Sequence, residues 1–226
     1  MLNAVNQSIM SAALTLTLSL AAVAPAQEPT AGNGRAGEFR SQVESLIAQL
    51  RSPNKDPNPK SEPRIDFPDD YDHKAQSKVE EAIEALKSLG KAAFPILIEH
   101  ADDPQYSKSI SSAVLLSRSV GEVCGDLVED QVDLSPMNYK SRKGKNGKHH
   151  GFHRDYFGKY WKGVKSRREM LEKWWMENSD KSLQEMQIEA LESAISDEKA
   201  IGFPTKRDEE FYLKPLEKNL KDVRKR

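Results

Sequence analysis

The stretch SVGEVCGDLVEDQV, residues 119–132, decides the fold class. Ser119 and Glu122 stand in the S-x-x-E arrangement of a helix capping box, where each side chain takes up an otherwise orphaned backbone N–H. Behind it Val120, Val123, Cys124, Leu127, Val128, Gln131 and Val132 fall at i, i+3, i+4, i+7, i+8, i+11 and i+12. That period makes one continuous apolar stripe on a helix, and such a stripe must be covered by other helices. Glu122, Asp126, Glu129 and Asp130 fall on the opposite side, which reads as a solvated face rather than a set of catalytic carboxylates.

Working outward, the same period recurs on both sides. Phe39, Val43, Leu46, Ile47 and Leu50 predict a first helix. Val79, Ile83, Leu86 and Leu89 predict a second over 74–89, stopped by Gly90. Pro95 suits the first turn of a third helix, with Phe94, Leu97, Ile98 and Ala101 inward and Asp102-Asp103-Pro104 as its stop. Downstream, helices are predicted over 153–162, behind the Ser166/Glu169 pair with Met170, Leu171, Trp174 and Trp175 inward, and behind Ser182/Glu185 with Met186, Ala190, Leu191, Ala194 and Ile195 inward. A terminal helix starts near Pro215 and carries Leu216, Leu220 and Val223. The segment 106–116 is ambiguous between a Ser-rich loop and a short buried piece, and no hairpin signal stands out. The expectation is an all-α fold, an irregular helical bundle or short α-solenoid of about seven helices.

Non-helical punctuation sets the domain plan. Residues 1–26 have the layout of a secretory signal peptide. Ile9 to Val23 is apolar but for Ser11, Thr15, Thr17 and Ser19, no charge precedes Glu28, and Ala24-Pro25-Ala26 offers small residues at a cleavage site. The apolar run is too short for a membrane span, which needs roughly 18–20 residues, so no transmembrane segment is expected in the mature chain. Export to the periplasm or beyond is the expectation, with cleavage near Ala26. Residues 27–37 read as a flexible leader. Residues 38–226 read as a single α-helical domain interrupted by a Pro-rich loop over 52–70 and a basic loop over 139–150. Pro53, Pro57, Pro59, Pro63 and Pro68 forbid a helix across the first of these. Cys124, the single cysteine, excludes an intrachain disulfide and falls on the apolar face of its helix, where it reads as core.

One stretch carries a resemblance. Val79 to Asp103, with Leu86-Lys87-Ser88-Leu89-Gly90, a Pro opening the next helix, Ile96-Leu97-Ile98 and an Asp-Asp-Pro stop, resembles one HEAT-type helical repeat. Such repeats stack helix pairs into α-solenoids. The likeness implies a scaffold that binds peptides or proteins on a concave face, and it transfers no catalytic residue. No second copy follows at a period of roughly 40 residues. Residues 166–201 also resemble stretches of uncharacterised exported bacterial proteins.

The formal net charge of −1 conceals an asymmetry: residues 140–173 hold twelve Lys and Arg against three acids. Within them Tyr156 and Tyr160, and Phe157 and Trp161, are each four apart, and Lys159, Lys162 and Lys165 are interleaved. Cations beside rings suit anionic polymers, since charge holds phosphate or carboxylate while rings stack on bases or sugars. The candidate binding residues are Lys143, Lys145, Lys148, Arg154, Tyr156, Lys159, Tyr160 and Trp161. The competing reading places the rings in the core with lysine stems lying along them. A protein or an anionic envelope polymer is the expected partner, and specific nucleic-acid recognition is not expected.

A second constellation is His149, His150 and His153, three imidazoles within five residues, the ligand type favoured by Zn, Cu or Ni. It would make a metal carrier or a metal-dependent hydrolase, although adjacent histidines diverge on a regular backbone and the flanking cations repel a dication. No G-x-S-x-G elbow, phosphate-binding Gly loop or H-E-x-x-H is present. The expectation is therefore a non-catalytic binding or scaffolding protein without a cofactor; a structural envelope protein without a ligand is the third reading.

Overall fold

The computed structural model describes residues 33–58, 64, 66–111, 114–135, 142–147, 149–150 and 156–226. These are mostly helical. The α-helices are α1 (Asn33–Gln49), α2 (His73–Ser88), α3 (Phe94–Glu99), α4 (Val120–Val132), α5 (Arg167–Asn178), α6 (Leu183–Ile201), α7 (Lys206–Tyr212) and α8 (Lys214–Val223). Two antiparallel pairs accompany them: β1 (Tyr106–Ser111) with β2 (Leu115–Ser119), and β3 (Arg142–Lys143) with β4 (His149–His150). Among the described residues no helix is long and apolar enough to cross a membrane.

Helix α4 is central, packed by α2, α3, α5 and α6. Its capping box forms as the sequence predicts: Ser119 Oγ accepts from the Glu122 N–H, and Glu122 accepts from the Ser119 N–H. Val120, Val123, Cys124, Leu127, Val128 and Val132 are buried, as are Phe94, Leu97, Ile98 and Ala101 of the predicted third-helix stripe. Gly90, at φ +59°, ends α2 in the left-handed region that favours glycine. Ser182 and Glu185 form the full reciprocal box on α6. On α5 only half of it forms. Ser166 accepts from the Glu169 N–H, but the Glu169 carboxylate turns to the Lys165 N–H instead.

Most of the buried apolar side chains fall into two clusters. The larger joins α1 to α5 with the first half of α6, ending at Met186 and Ala190. The smaller begins at Leu191 and takes Ala194, Ile195, Leu213, Leu216 and Val223 from α6 to α8. Cys124 lies wholly within the first, where burial pushes its thiol up to about 12. Its core assignment predicts that native protein at pH 8 will not react with a thiol reagent on the timescale on which denatured protein does. Rapid labelling of the folded chain contradicts that placement.

The structure differs from the sequence reading in five places. First, the chain is not free of strands, since the ambiguous segment 106–116 contributes a hairpin. Neither strand alternates cleanly between apolar and polar, because this hairpin is held less by a buried face than by bonds to its flanks. The Gln76 side chain donates to Ser107 O at 2.9 Å, and the Leu115 N–H donates to Arg64 O at 2.7 Å. Second, the Pro-rich segment is an anchored strap rather than an exposed linker. The Ser52 N–H reaches Tyr106 O at 3.0 Å, Asn58 Nδ2 reaches Leu115 O, Ser117 Oγ reaches Asp56, and Pro57 is buried. Pro59 and Pro63 lie outside the described residues. Third, α1 begins at Asn33, so 33–37 are helical rather than leader; residues 1–32, which hold the signal-peptide expectation, lie outside the described residues.

Fourth, α7 was not anticipated, although Thr205 and Asp208 cap it reciprocally. Fifth, the helix expected over 153–162 is a 3₁₀ segment, Tyr156–Trp161, and residues 153–155 lie outside the described residues. That last difference reorders the candidate site.

Candidate functional site

A 3₁₀ helix has three residues per turn, so i and i+3 share a face and an i, i+4 stripe does not survive. Phe157 and Tyr160 therefore point the same way, into the core, while Trp161 falls on the face of Gly158. Tyr156 and Tyr160 are each only 4% exposed and Phe157 1%, whereas Trp161 is 42% exposed. Phe157 stacks edge-on against Trp174, which is fully buried and also touches Phe94. Trp175 is half-buried, with Lys91 Nζ 5.7 Å above its ring. For Tyr156, Phe157 and Tyr160 the reading that places the rings in the core therefore holds, and the candidate binding roles of Tyr156 and Tyr160 fall. One ring of the expected stripe faces water.

The hydroxyls of the buried tyrosines meet a polar junction that the sequence reading missed. Tyr156 OH donates to Glu189 Oε1 at 2.9 Å, Lys181 Nζ donates to the other oxygen of Glu189, and Lys159 Nζ stands 3.6 Å away. Buried Asn178 accepts from Lys181 at 2.7 Å and donates to Tyr160 OH at 3.3 Å and to Trp174 O at 2.8 Å. Burial alone would raise the Glu189 pKa, but the Lys181 and Tyr156 bonds outweigh it and hold the carboxylate below the usual range. Burial raises the Tyr156 pKa, and the bond to Glu189 adds to the shift. Lys159, 52% exposed, lies over Tyr156 and Tyr160 at 4.5 and 5.0 Å from the ring centres, the cation–π distance range. No sequence motif announces this junction.

The basic loop is described in part. Lys145 is exposed at the turn between β3 and β4, its N–H donating to Ile201 O at 3.2 Å and its Cβ resting on Gly202. This seats the turn on the C-terminal end of α6, where the helix dipole favours a cation. Lys143 pairs through its backbone with His149, and Arg142 with His150; the side chains of Lys143, His149 and His150 lie outside the described residues, as do Lys148, His153 and Arg154 entirely. Among the described residues no group of three His, Cys, Asp or Glu is placed to hold a metal ion.

No protein-family model, curated protein or solved structure matches this chain. Function therefore rests on the site alone. In the described part of that site exposed Trp161 is followed in the chain by exposed Lys162 and Lys165, and Lys173 Nζ donates to Lys162 O at 3.2 Å. Such a face can hold an anionic chain by charge and orient one of its rings by stacking.

Proposed function

We propose that the chain is an exported, non-catalytic binding protein that takes an anionic envelope polymer on the face around Trp161. The observation that carries this reading is the exposure of Trp161 among lysines while its neighbouring rings are buried. A large ring left in water beside cations is what a stacking contact with a sugar or base requires. The rigid footing of the 3₁₀ segment on the core, through Phe157 and the Tyr156–Glu189 bond, supports it by holding the ring in place before binding. Export rests on the composition of residues 1–26. We read the scaffold as a short helical array in which α2 and α3, joined by a 3₁₀ turn at Gly90–Ala93, form one HEAT-like pair.

The test is binding to a sulfated or uronic-acid polysaccharide followed across a salt series. Trp161→Ala is expected to weaken binding about tenfold, given that ring stacking contributes on the order of 1–3 kcal/mol. Replacing Lys162 and Lys165 together by Glu should flatten the dependence of affinity on salt, since fewer counterions are then released. Equal affinity in wild type and both variants, or no binding at 50 mM salt, refutes the proposal.

A further inference from the structure

We infer that the groove between α6 and α8 binds a small single-chain amphiphile with an anionic head. The cavity has a volume of about 460 Å³, within the range of small-molecule sites. Its floor is apolar, formed by Ile195 and half-buried Leu220, which extend the smaller hydrophobic cluster to the surface. Its walls are cationic: Lys199 from α6, and Lys221, Arg224 and Lys225 from α8 and its C-terminal end, against the single acid Glu217.

The Lys221 side chain has no hydrogen bond or ion pair among the described residues. Lys199 faces Glu217 at 3.6 Å, Lys225 faces Asp222 at 3.8 Å, and Arg224 meets Glu192. All of these pairs are about half exposed, and exposed pairs contribute little, so an incoming anionic head can compete for the cations. The dipole at a helix C-terminus favours Lys and Arg there. It does not account for the apolar floor beneath them.

The same geometry argues against larger partners. A docked amphipathic helix needs anchors over two turns or more, and this floor offers two side chains. A single-stranded nucleic acid would want an exposed ring, and none lines the groove. A basic amphipathic helix such as α8 would ordinarily lie on a lipid surface, but its apolar side is committed to α6, with Leu216 and Val223 buried. What remains is room for a charged head among Lys221, Arg224 and Lys225 and a short tail along Leu220 and Ile195.

The probe is dodecanoate below its micellar concentration, titrated calorimetrically into the full chain. One-to-one binding is expected, weakened at least tenfold by the double substitution Lys221→Glu with Lys225→Glu. Both positions are exposed, and an unchanged melting temperature shows that the variant is folded. Dodecyltrimethylammonium should bind at least tenfold more weakly than dodecanoate, and Trp161→Ala should leave dodecanoate binding unaltered, which separates this groove from the polymer face. The inference is overturned by equal affinity for the two heads, by undiminished binding in the double variant, by absence of binding, or by capture on phosphatidylglycerol vesicles without binding of free dodecanoate.

Discussion

Replacing Gly121 by Ala is expected to cost about 3 kcal/mol, the upper part of the usual range for overpacking, and to lower the melting temperature by roughly 6–12 °C for a chain of this size. The reason is a backbone-to-backbone approach. Gly121 sits in the first turn of α4 and donates its N–H to Asp103 O at 2.9 Å. A methyl group added there would stand 2.6 Å from both Ala101 O and Asp103 N. Neither atom belongs to a side chain that can turn aside, so α4 must shift off the turn that follows α3. Because α4 is covered on several sides by other helices, the shift is transmitted through the larger core. Alanine is a better helix former than glycine, so a variant as stable as wild type or more so, by thermal or denaturant unfolding, would show that this contact does not constrain the fold.

Arg167→Ala should cost about 2 kcal/mol, less than the 3–5 kcal/mol typical of breaking a fully buried ion pair, because solvent reaches part of the network. The Arg167 side chain is 19% exposed and lies across Gly125 of α4, where any Cβ would collide with its guanidinium. It donates from Nε to Glu129 at 2.8 Å, from Nη2 to Asp126 at 2.8 Å and from Nη1 to the Glu122 carbonyl at 2.9 Å. Burial opposes its charge, but the two carboxylates more than offset that and raise its pKa. Truncation leaves Asp126 with Arg118 as its remaining cation, removes the Arg167 contact from Glu129, and uncovers the apolar stem's footprint on α4. Arg167→Lys is expected to recover only part of the loss, since an ammonium cannot reproduce three bonds in a planar fork. Indistinguishable unfolding midpoints for wild type and Arg167→Ala would refute this account of how α5 is fastened to α4.

These two sites also mark how far sequence reasoning reaches. The stripe from Val120 to Val132 and the Ser119 and Ser182 boxes were legible because helix period and capping are local properties, settled within a few residues. Arg167 and Gly125 pair across 42 positions, and nothing local distinguishes that arginine from Arg168, whose side chain bonds Glu172 one turn on. The Tyr106–Ser119 hairpin escaped for a related reason: its partners, Gln76, Asn58 and Arg64, come from distant chain segments. At the candidate site the residue types were visible but their direction was not. Tightening to three residues per turn separates Phe157 from Trp161, which a 3.6-residue period puts on one face, and of the four rings only Trp161 is left in water. Asn178, Lys181 and Glu189 carried no sequence signal, because a buried polar junction is defined by what closes over it.

Helix α6 belongs to both apolar clusters, Met186 and Ala190 to one and Leu191 onward to the other. A shared shaft of this kind permits graded opening. Raising α7 and α8 forfeits the lesser cluster and the Asn219 and Gln184 tethers to Leu134 and Val223, while Trp174 and its surroundings stay dry. The α7–α8 segment can therefore open at a lower free energy than the helices around α4. Whatever lodges against it would be gripped by a segment that loosens before the larger cluster does.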